Sequence, residues 1–330
     1  MENIEIITLQ RERDFSRRIN ATFVFIRQNF GSLFKALIVI AGPSVVLTAA
    51  IVTTMAGDMF SLIPGVDQNP DAFANYFLSV SFWLQLVLML ILFFVTGCLT
   101  ISVVNNYIIL YDEQKTNRIS VSDVWDRVRA SFWMYAGTMF MFFVMAIVAY
   151  LLMAFVSVVF SLVTPFLMGL VFLGFYCLFI WAAIAMSMTF FVQSCEKAGP
   201  IQAMIRSVNL VKGEWWSSFG FHFVIYLIAS VLVSIVFIPF YIIFFIMMMH
   251  SIDNPTNEAP TWLQWALVTM FVVYYVASIL VNVLPNVAVA FQYFNLVEIK
   301  ESRGLITDFD SIGQQPTHNP EEDQYGKWRS

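Results

Sequence analysis

The stretch from Phe219 to Met249 reads FGFHFVIYLIASVLVSIVFIPFYIIFFIMMM and contains no Asp, Glu, Lys or Arg. It is longer than the roughly 18 apolar residues that indicate a transmembrane helix. Five further apolar runs exceed the same length, and they extend over Leu33 to Met55, Phe77 to Tyr107, Phe132 to Phe160, Phe166 to Phe191, and Trp262 to Phe294. The sequence therefore predicts an all-α integral membrane protein with six transmembrane helices. A transmembrane β-barrel is excluded, because its strands would show alternating segments of about ten residues.

The composition agrees with a membrane location. Hydrophobic residues make up 59% of the 330 residues and charged residues only 12%, whereas charged residues are roughly a quarter of a soluble domain. The formal net charge of -5 lies largely in loops and in the C-terminal tail, so it says little about partners. A membrane location predicts membrane lipids as partners, and no nucleic acid is expected. Cys98, Cys177 and Cys195 show no paired spacing, which favours packing roles over a disulfide or a zinc site.

The Lys and Arg residues predict the orientation of the chain. They precede or open the first span, and otherwise occur between the second and third, between the fourth and fifth, and after the sixth, while residues 36–114, 130–196 and 213–299 contain none. Because basic loops stay on the cytoplasmic side, both termini are expected in the cytoplasm, in a bacterial inner membrane. Residues 1–300 form the predicted membrane domain, and residues 301–330 a flexible cytoplasmic tail. The N-terminus lacks the pattern of a cleaved signal peptide.

An apolar stripe precedes each odd-numbered span. In each stripe four residues are spaced by four, three and four positions, which places them on one face of a helix. The stripes are Ile19, Phe23, Ile26 and Phe30; Val121, Trp125, Val128 and Phe132; and Met204, Val208, Val211 and Trp215. The pattern predicts three repeats, at about residues 12–109, 118–192 and 200–296, each an interfacial amphipathic helix followed by a transmembrane hairpin. Such a stripe also occurs by chance in helices beside a membrane, so that alternative stays open.

Basic and aromatic residues of these stretches are candidates for lipid contact. A basic residue follows the third apolar position of every stripe, and tryptophans suit the depth of the headgroups. The predicted lipid-interface residues are Arg27, Arg129, Lys212, Trp125, Trp133, Trp215 and Trp216.

The third repeat resembles a known membrane family. The residues that carry the resemblance are Glu196, Gly199, Ala203, Ser207, Leu210, Lys212, Gly213 and Trp216. This run of about 20 residues is similar to the pattern of the glycerophosphoryl diester phosphodiesterase membrane-domain family and of related bacterial multi-span proteins. The resemblance implies a fold and a membrane location. It implies no activity, because the soluble barrel that carries the chemistry in that family needs roughly 250 residues, and no segment outside the spans is that long.

No catalytic, metal or cofactor site is predicted. The spans carry no acid or base at mid-depth, where such a residue would be read as functional, and His222, His250 and His318 are scattered. Uncharged polar residues recur instead near the cytoplasmic ends of the even-numbered spans. They are Asn105, Asn106, Ser187, Gln193, Asn282 and Asn286. Two interpretations remain open: hydrogen bonds that fix helix packing, or a polar pocket that faces the cytoplasm.

Two function classes follow. The first is a non-enzymatic scaffold or accessory subunit that binds lipid headgroups and a membrane or cytoplasmic protein at its cytoplasmic face. The second is a permease or lipid transporter with a cytoplasm-facing polar pocket. A membrane-embedded hydrolase is disfavoured, because the sequence shows no nucleophile paired with a base.

Overall fold

The computed structural model describes residues 6–62, 71–161, 164–253 and 261–303. Within these ranges the chain forms ten helices and no strand. The helices are α1 (Phe15–Leu62), α2 (Asp71–Leu78), α3 (Val80–Gln114), α4 (Val121–Ser161), α5 (Pro165–Ala185), α6 (Thr189–Glu196), α7 (Pro200–Val211), α8 (Trp215–Asp253), α9 (Thr261–Val281) and α10 (Val283–Glu301).

Six helical stretches of the described chain are long and apolar enough to cross a membrane, as the sequence predicts. Four of them are α1, α3, α4 and α8. The remaining two are pairs of consecutive helices, α5 with α6 and α9 with α10. Within the bundle α1 packs on α3, α3 on α4, α4 on α5, and α8 on α9, while α10 contacts α1, α3 and α8. The predicted membrane class is thus confirmed.

Helix boundaries follow local chemistry. The Ser79 hydroxyl accepts a hydrogen bond from the Phe82 N–H and caps α3, and Thr164 does the same for α5, whose first residue is Pro165. Proline suits that position because its missing N–H would have no partner inside the helix. The residues that follow the C-terminal ends of α3, α6 and α10 adopt left-handed backbone conformations: Lys115, Lys197 and Ser302.

The hydrophobic core lies toward one end of the bundle. We call this end of the bundle the basic end. It comprises residues 6–14, the loop 115–120, the residues 197–199, α7 and the last turns of α10. The main cluster of buried residues is built around Phe25 of α1, Tyr107 of α3, and Phe291 of α10. By contrast, the most apolar windows of α4, of α5 with α6, and of α8 have only 6%, 0% and 6% of their residues buried. Their side chains therefore face outward, where lipid is the solvent.

The three amphipathic stretches are built differently. The first and second are the opening turns of α1 and α4 and continue without a break into the spans. The third is a separate helix, α7, divided from α8 by Lys212, Gly213 and Glu214. Gly213 has a φ of 90°, a conformation that residues with a side chain rarely adopt. The structure thus differs from the expectation of a distinct interfacial helix in the first two stretches.

The face that α1 buries lies one residue away from its predicted stripe. Phe23 and Phe30 are exposed, whereas Phe25 and Asn29 are fully buried. The complete buried face of the opening turns is Arg18, Thr22, Phe25, Asn29 and Leu33. The polar members are accommodated because neighbouring helices and the backbone supply partners: the Tyr107 hydroxyl, for example, donates to Asn29 Oδ1 at 3.1 Å. The other two stripe residues, Ile19 and Ile26, are half-buried and pack against the core, so the stripe lies at the edge of the buried face.

The segment before α1 is fixed across the basic end. The backbone N–H of Ile7 donates to the Tyr111 hydroxyl at 2.9 Å, and that of Arg13 donates to Asn295 Oδ1 at 2.7 Å. Leu9 is buried in the core. The Arg13 guanidinium lies 5.5 Å from the centre of the Phe291 ring. These contacts tie the N-terminal segment to α3 and α10.

The two faces of α1 can be compared by alanine substitution at neighbouring phenylalanines. Phe25→Ala should lower the free energy of unfolding by ~3–5 kcal/mol, because it opens a cavity in the packed core. Phe23→Ala is the matched control and should cost far less, since Phe23 is 38% exposed. Unfolding in one detergent measures both. Equal losses would show that the assignment of the two faces is wrong.

Candidate functional site

A cavity of about 600 Å³ lies at the basic end. This inner cavity is bordered by α3, α4, α6 and α10, and its volume falls in the range of about 300–1,000 Å³ that is usual for small-ligand sites. Uncharged polar residues form part of its wall: Asn106, Ser131, Gln193 and Ser194. Charged residues also line it: Asp112, Glu113, Arg127, Lys197 and Arg303. The rest of the lining is mostly apolar.

Asn106 is held rigidly in this wall. Its amide nitrogen donates to the Ser102 carbonyl oxygen at 2.8 Å and to the hydroxyls of Ser102 and Ser131 at 3.1 and 3.0 Å. A carbonyl oxygen can only accept, so this contact fixes which end of the Asn106 amide is the nitrogen. Asn106 therefore joins α3 to α4 and needs no ligand to be satisfied on its nitrogen.

Gln193 is not fully satisfied, although it is completely buried. The Thr138 hydroxyl lies 2.8 Å from Gln193 Oε1, and the Gln193 Nε2 atom has no hydrogen-bond partner. The same hydroxyl lies 3.1 Å from the Met134 carbonyl oxygen, and it has one hydrogen to donate. The buried Gln193 Nε2 atom thus lacks a protein partner, which normally costs ~1–3 kcal/mol.

Ion pairs surround the mouth of the inner cavity. On one side Arg127 pairs with Glu113 and Lys115 with Asp112, the latter at 2.6 Å. On the other side the cluster joins α6, α7 and the end of α10: Glu196, Arg206, Glu301 and Arg303. The Tyr293 hydroxyl donates to Glu196 Oε1 at 2.9 Å. These contacts hold α6 against α10, so they fix the wall that carries Gln193.

Arg206 is the centre of the second group. Burial opposes its charge, but hydrogen bonds and attraction from Glu196 and Glu301 outweigh that effect and raise the pKa of Arg206 above its ordinary value. Its guanidinium therefore stays charged at any physiological pH, and the α6–α7 connection is an ionic one.

The break between α5 and α6 is closed by a serine from α7. The Ser207 hydroxyl donates to the Ala185 carbonyl oxygen at 2.8 Å and accepts from the Met188 N–H at 3.2 Å. Both groups would otherwise be left unpaired in a buried position, which is costly. The side chain of Ser207 thus replaces part of the helical hydrogen bonding at this point.

The residues that carry the family resemblance have structural roles in this fold. Ala203, Ser207 and Leu210 form the buried face of α7. Gly199 precedes that helix and Gly213 follows it with positive φ. Trp216 is 78% exposed, at the start of α8. The pattern therefore describes how α7 is docked, and it contains no reactive arrangement.

The predicted polar residues do not form one group. Asn106 and Gln193 line the inner cavity, and buried Asn105 hydrogen-bonds to Tyr135 behind it. Asn282 instead lines a second cavity, of about 430 Å³, between α8 and α9. Ser187 and Asn286 line neither of these two cavities: the Ser187 hydroxyl donates to the Ile184 carbonyl oxygen, and the Asn286 amide nitrogen to that of Asn282.

The predicted lipid-interface residues all reach the surface. Trp215 is half-buried and donates through Nε1 to the Trp181 carbonyl oxygen at 3.4 Å. The remaining six are exposed: Arg27, Arg129, Lys212, Trp125, Trp133 and Trp216. Their positions are compatible with contact to headgroups.

Arg18 is a buried charge that the sequence patterns do not reveal. It is 4% exposed, donates to Gln292 and Ser217, and lies 5.2 Å from the centre of the Phe221 ring. Gln292 in turn donates to the Ser218 hydroxyl at 2.9 Å. Its spacing is the one hint in the sequence: Thr22, Phe25 and Asn29 follow Arg18 at intervals of four, three and four residues, and all four are buried on α1. This network joins α1, α8 and α10 and accounts for the polarity of that face.

No known protein supplies a functional assignment: no family model, curated protein or solved structure matches the chain. Among the described residues, no three His, Cys, Asp or Glu side chains are grouped as metal ligands. The function must therefore be inferred from the two cavities and the surfaces around them.

Replacing Ser207 should weaken the α5–α6 break. Ser207→Ala removes both hydrogen bonds and leaves two buried backbone groups unpaired, at a cost of ~1–3 kcal/mol in unfolding free energy. Ser230→Ala is the control, because the Ser230 hydroxyl donates only to the Leu227 carbonyl oxygen on the surface of α8. Thermal unfolding in detergent compares the two. Equal stability of both variants would rule out the bridging role.

Proposed function

We propose that this chain is a non-enzymatic membrane protein that holds the polar headgroup of a membrane lipid in its inner cavity. In this role it is a scaffold or accessory subunit, and its basic end also meets a membrane or cytoplasmic protein. One observation carries the proposal: the completely buried Gln193 keeps an unpaired polar atom at the wall of a cavity of about 600 Å³. An unpaired buried group is costly unless a ligand or water pairs with it.

A lipid headgroup suits this cavity better than a soluble metabolite. The cavity lies at one end of the membrane-spanning bundle, next to helices whose outer faces are apolar. Trp125 and Trp133 of α4 are exposed on the same end, and tryptophan is enriched at the depth of the headgroups. A lipid can therefore place its headgroup in the cavity while its chains stay in the bilayer.

Three finer assignments belong to this proposal. We place the basic end in the cytoplasm of a bacterial cell, because the loops of that end hold the Lys and Arg residues, which are retained on the inner side. We treat the three amphipathic stretches as copies of one unit that diverged in their junctions to the spans. We also propose that the chain is related to the phosphodiesterase membrane-domain family, on the basis of the resemblance in the residues from Glu196 to Trp216.

Substitution of Gln193 should separate ligand binding from stability. Gln193→Leu removes the unpaired atom and one hydrogen bond, so the free energy of unfolding should change little, whereas lipid retained through mild detergent extraction should fall several-fold. Native mass spectrometry counts the retained lipid. Asn286→Leu is the matched control, because it removes a membrane amide outside both cavities. Equal lipid retention by the Gln193 variant and the unchanged protein would contradict the proposal.

A second candidate, lipid or solute transport, is favoured by a specific observation. The return helices of two hairpins are interrupted, at Met186 to Met188 and at Asn282. Asn282 lines the second cavity, and the first interruption precedes α6, whose Gln193 lines the inner cavity. Transporter sites are often built from such discontinuous helices. Pro285 explains the second break, since it has no N–H to bond to the carbonyl of Val281.

Reconstituted vesicles distinguish transport from binding. If the chain transports lipid, headgroup-labelled phospholipid should move between leaflets faster than in empty vesicles, and Asn282→Leu should reduce that rate, because Asn282 lies at the α9–α10 break. Ser230→Ala, also beside the second cavity, serves as the control. If lipid binds to the protein but does not move between leaflets, the scaffold function stands and the transporter function is excluded.

A further inference from the structure

We infer that the ligand of the inner cavity is anionic and carries a phosphate group, and that Lys197 supplies its charge partner. The inference rests on the proposed function and adds the chemical class of the headgroup. It depends on the balance of acidic and basic side chains at the cavity mouth.

When the ion pairs at the cavity mouth are matched, one basic residue is left without an acidic partner. The acidic residues of the two groups are Asp112, Glu113, Glu196 and Glu301. The basic residues paired with them are Lys115, Arg127, Arg206 and Arg303. Four acids and four bases cancel, and Lys197 is the fifth base. In the part of the chain that the structure describes, Lys197 has no ion pair, although it lines the cavity.

The position of Lys197 directs its charge to the same wall as the unpaired amide. Lys197 directly follows α6 and has a φ of 50°. Gln193 and Ser194 of α6 line the same cavity as Lys197. An anion that meets the Lys197 ammonium therefore lies in the cavity that Gln193 also borders. The Gln193 Nε2 atom has no protein partner, so it can donate to an anionic oxygen.

The neutral members of the wall do not compete for the same ligand atoms. The Ser131 hydroxyl donates to the Arg127 carbonyl oxygen at 2.7 Å, and that of Ser194 to the Phe190 carbonyl oxygen at 3.2 Å. Their hydrogens are therefore in use, and they can offer a ligand only acceptor oxygens. The donors left for an anion are the amides of Gln193 and Gln10 and the ammonium of Lys197, with the guanidinium groups of the mouth around them. A phosphate oxygen matches this set, because it is charged and only accepts.

Cys195 offers a direct measurement, because it lines the inner cavity. Cys98 is buried, and Cys177 can be replaced by serine since it lies on the exposed side of α5. The rate of maleimide labelling of Cys195 then reports whether the cavity is occupied. The protein is placed in phosphatidylcholine nanodiscs to which phosphatidylglycerol or diacylglycerol is added. Phosphatidylglycerol should slow labelling and diacylglycerol should not.

Two lysine variants test the charge. Lys197→Gln should weaken protection by phosphatidylglycerol about five-fold, which corresponds to the ~1 kcal/mol that one basic residue contributes near an anionic surface. Lys35→Gln is the control: Lys35 is also exposed, on α1, but it does not line the cavity. Equal effects of both variants, or no effect of Lys197→Gln, would overturn the inference.

Two more outcomes identify the source of the phosphate and separate the two proposals. Inorganic phosphate or glycerol phosphate that protects Cys195 in lipid-free detergent would show a soluble ligand of the same chemistry. Protection by added phosphatidylglycerol alone would show a headgroup. If phosphatidylcholine and diacylglycerol protect as well as phosphatidylglycerol, the anionic class is wrong while headgroup binding stands. If no lipid changes the labelling rate, the proposed function fails too.

Discussion

A bilayer offers no hydrogen-bonding solvent, so every backbone group inside it needs a partner from the protein. This constraint accounts for the helical content and for the features at helix breaks. Where α5 stops short of α6, the Ser207 side chain supplies the missing donor and acceptor. Where α9 meets α10, Asn282 N–H still reaches the Ser278 carbonyl oxygen at 2.9 Å, so the interruption stays within one residue. The two breaks therefore interrupt the helices without leaving those groups unpaired.

The same constraint divides the bundle into two unlike halves. Away from the basic end, the outer faces of the helices are apolar and face lipid. Because lipid tails are as apolar as leucine, packing these faces against each other would gain little free energy. Toward the basic end, polar side chains pair with one another across helices, as Asn29 does with Tyr107 and Arg18 with Gln292. Directional contacts of this kind require fixed helix positions. The rigid part of the molecule is thus the part that holds the inner cavity.

The sequence predicts where the membrane-spanning helices lie, but it does not predict which face of each helix is buried or which helices pack together. Six apolar runs predict six spans because length and hydropathy suffice for a membrane helix, and the structure agrees. The stripe of α1 predicts one apolar face, but its residues Phe23 and Phe30 are exposed, because in a membrane an apolar side chain need not be buried in protein. Phe25 and Asn29 pack inward instead, because their partners lie on α3 and α10, far away in the chain. Hydropathy carries no information about such partners.

The candidate site shows the same limit. Asn106 and Gln193 were identified as polar residues near span ends, and both reach the inner cavity. Asn282 has the same sequence signal but lies at the other cavity, because it follows α9, which packs mainly on α8. Ser131 and Lys197 gave no signal at all, since a serine in an amphipathic turn and a lysine after a helix are common. They become part of a site only when four helices bring them together.

The ion pairs around the inner cavity bear on the kind of ligand that we propose for it. The carboxylates there are engaged by Arg or Lys neighbours in the described structure, which fixes their positions. Side chains held in this way set the electrostatic field that a ligand would meet. Gln193 adds a buried amide nitrogen without a protein partner to the cavity lining. The proposed binding of a headgroup draws on both features: the fixed charges favour an anionic group, and the free amide hydrogen gives that group a direction.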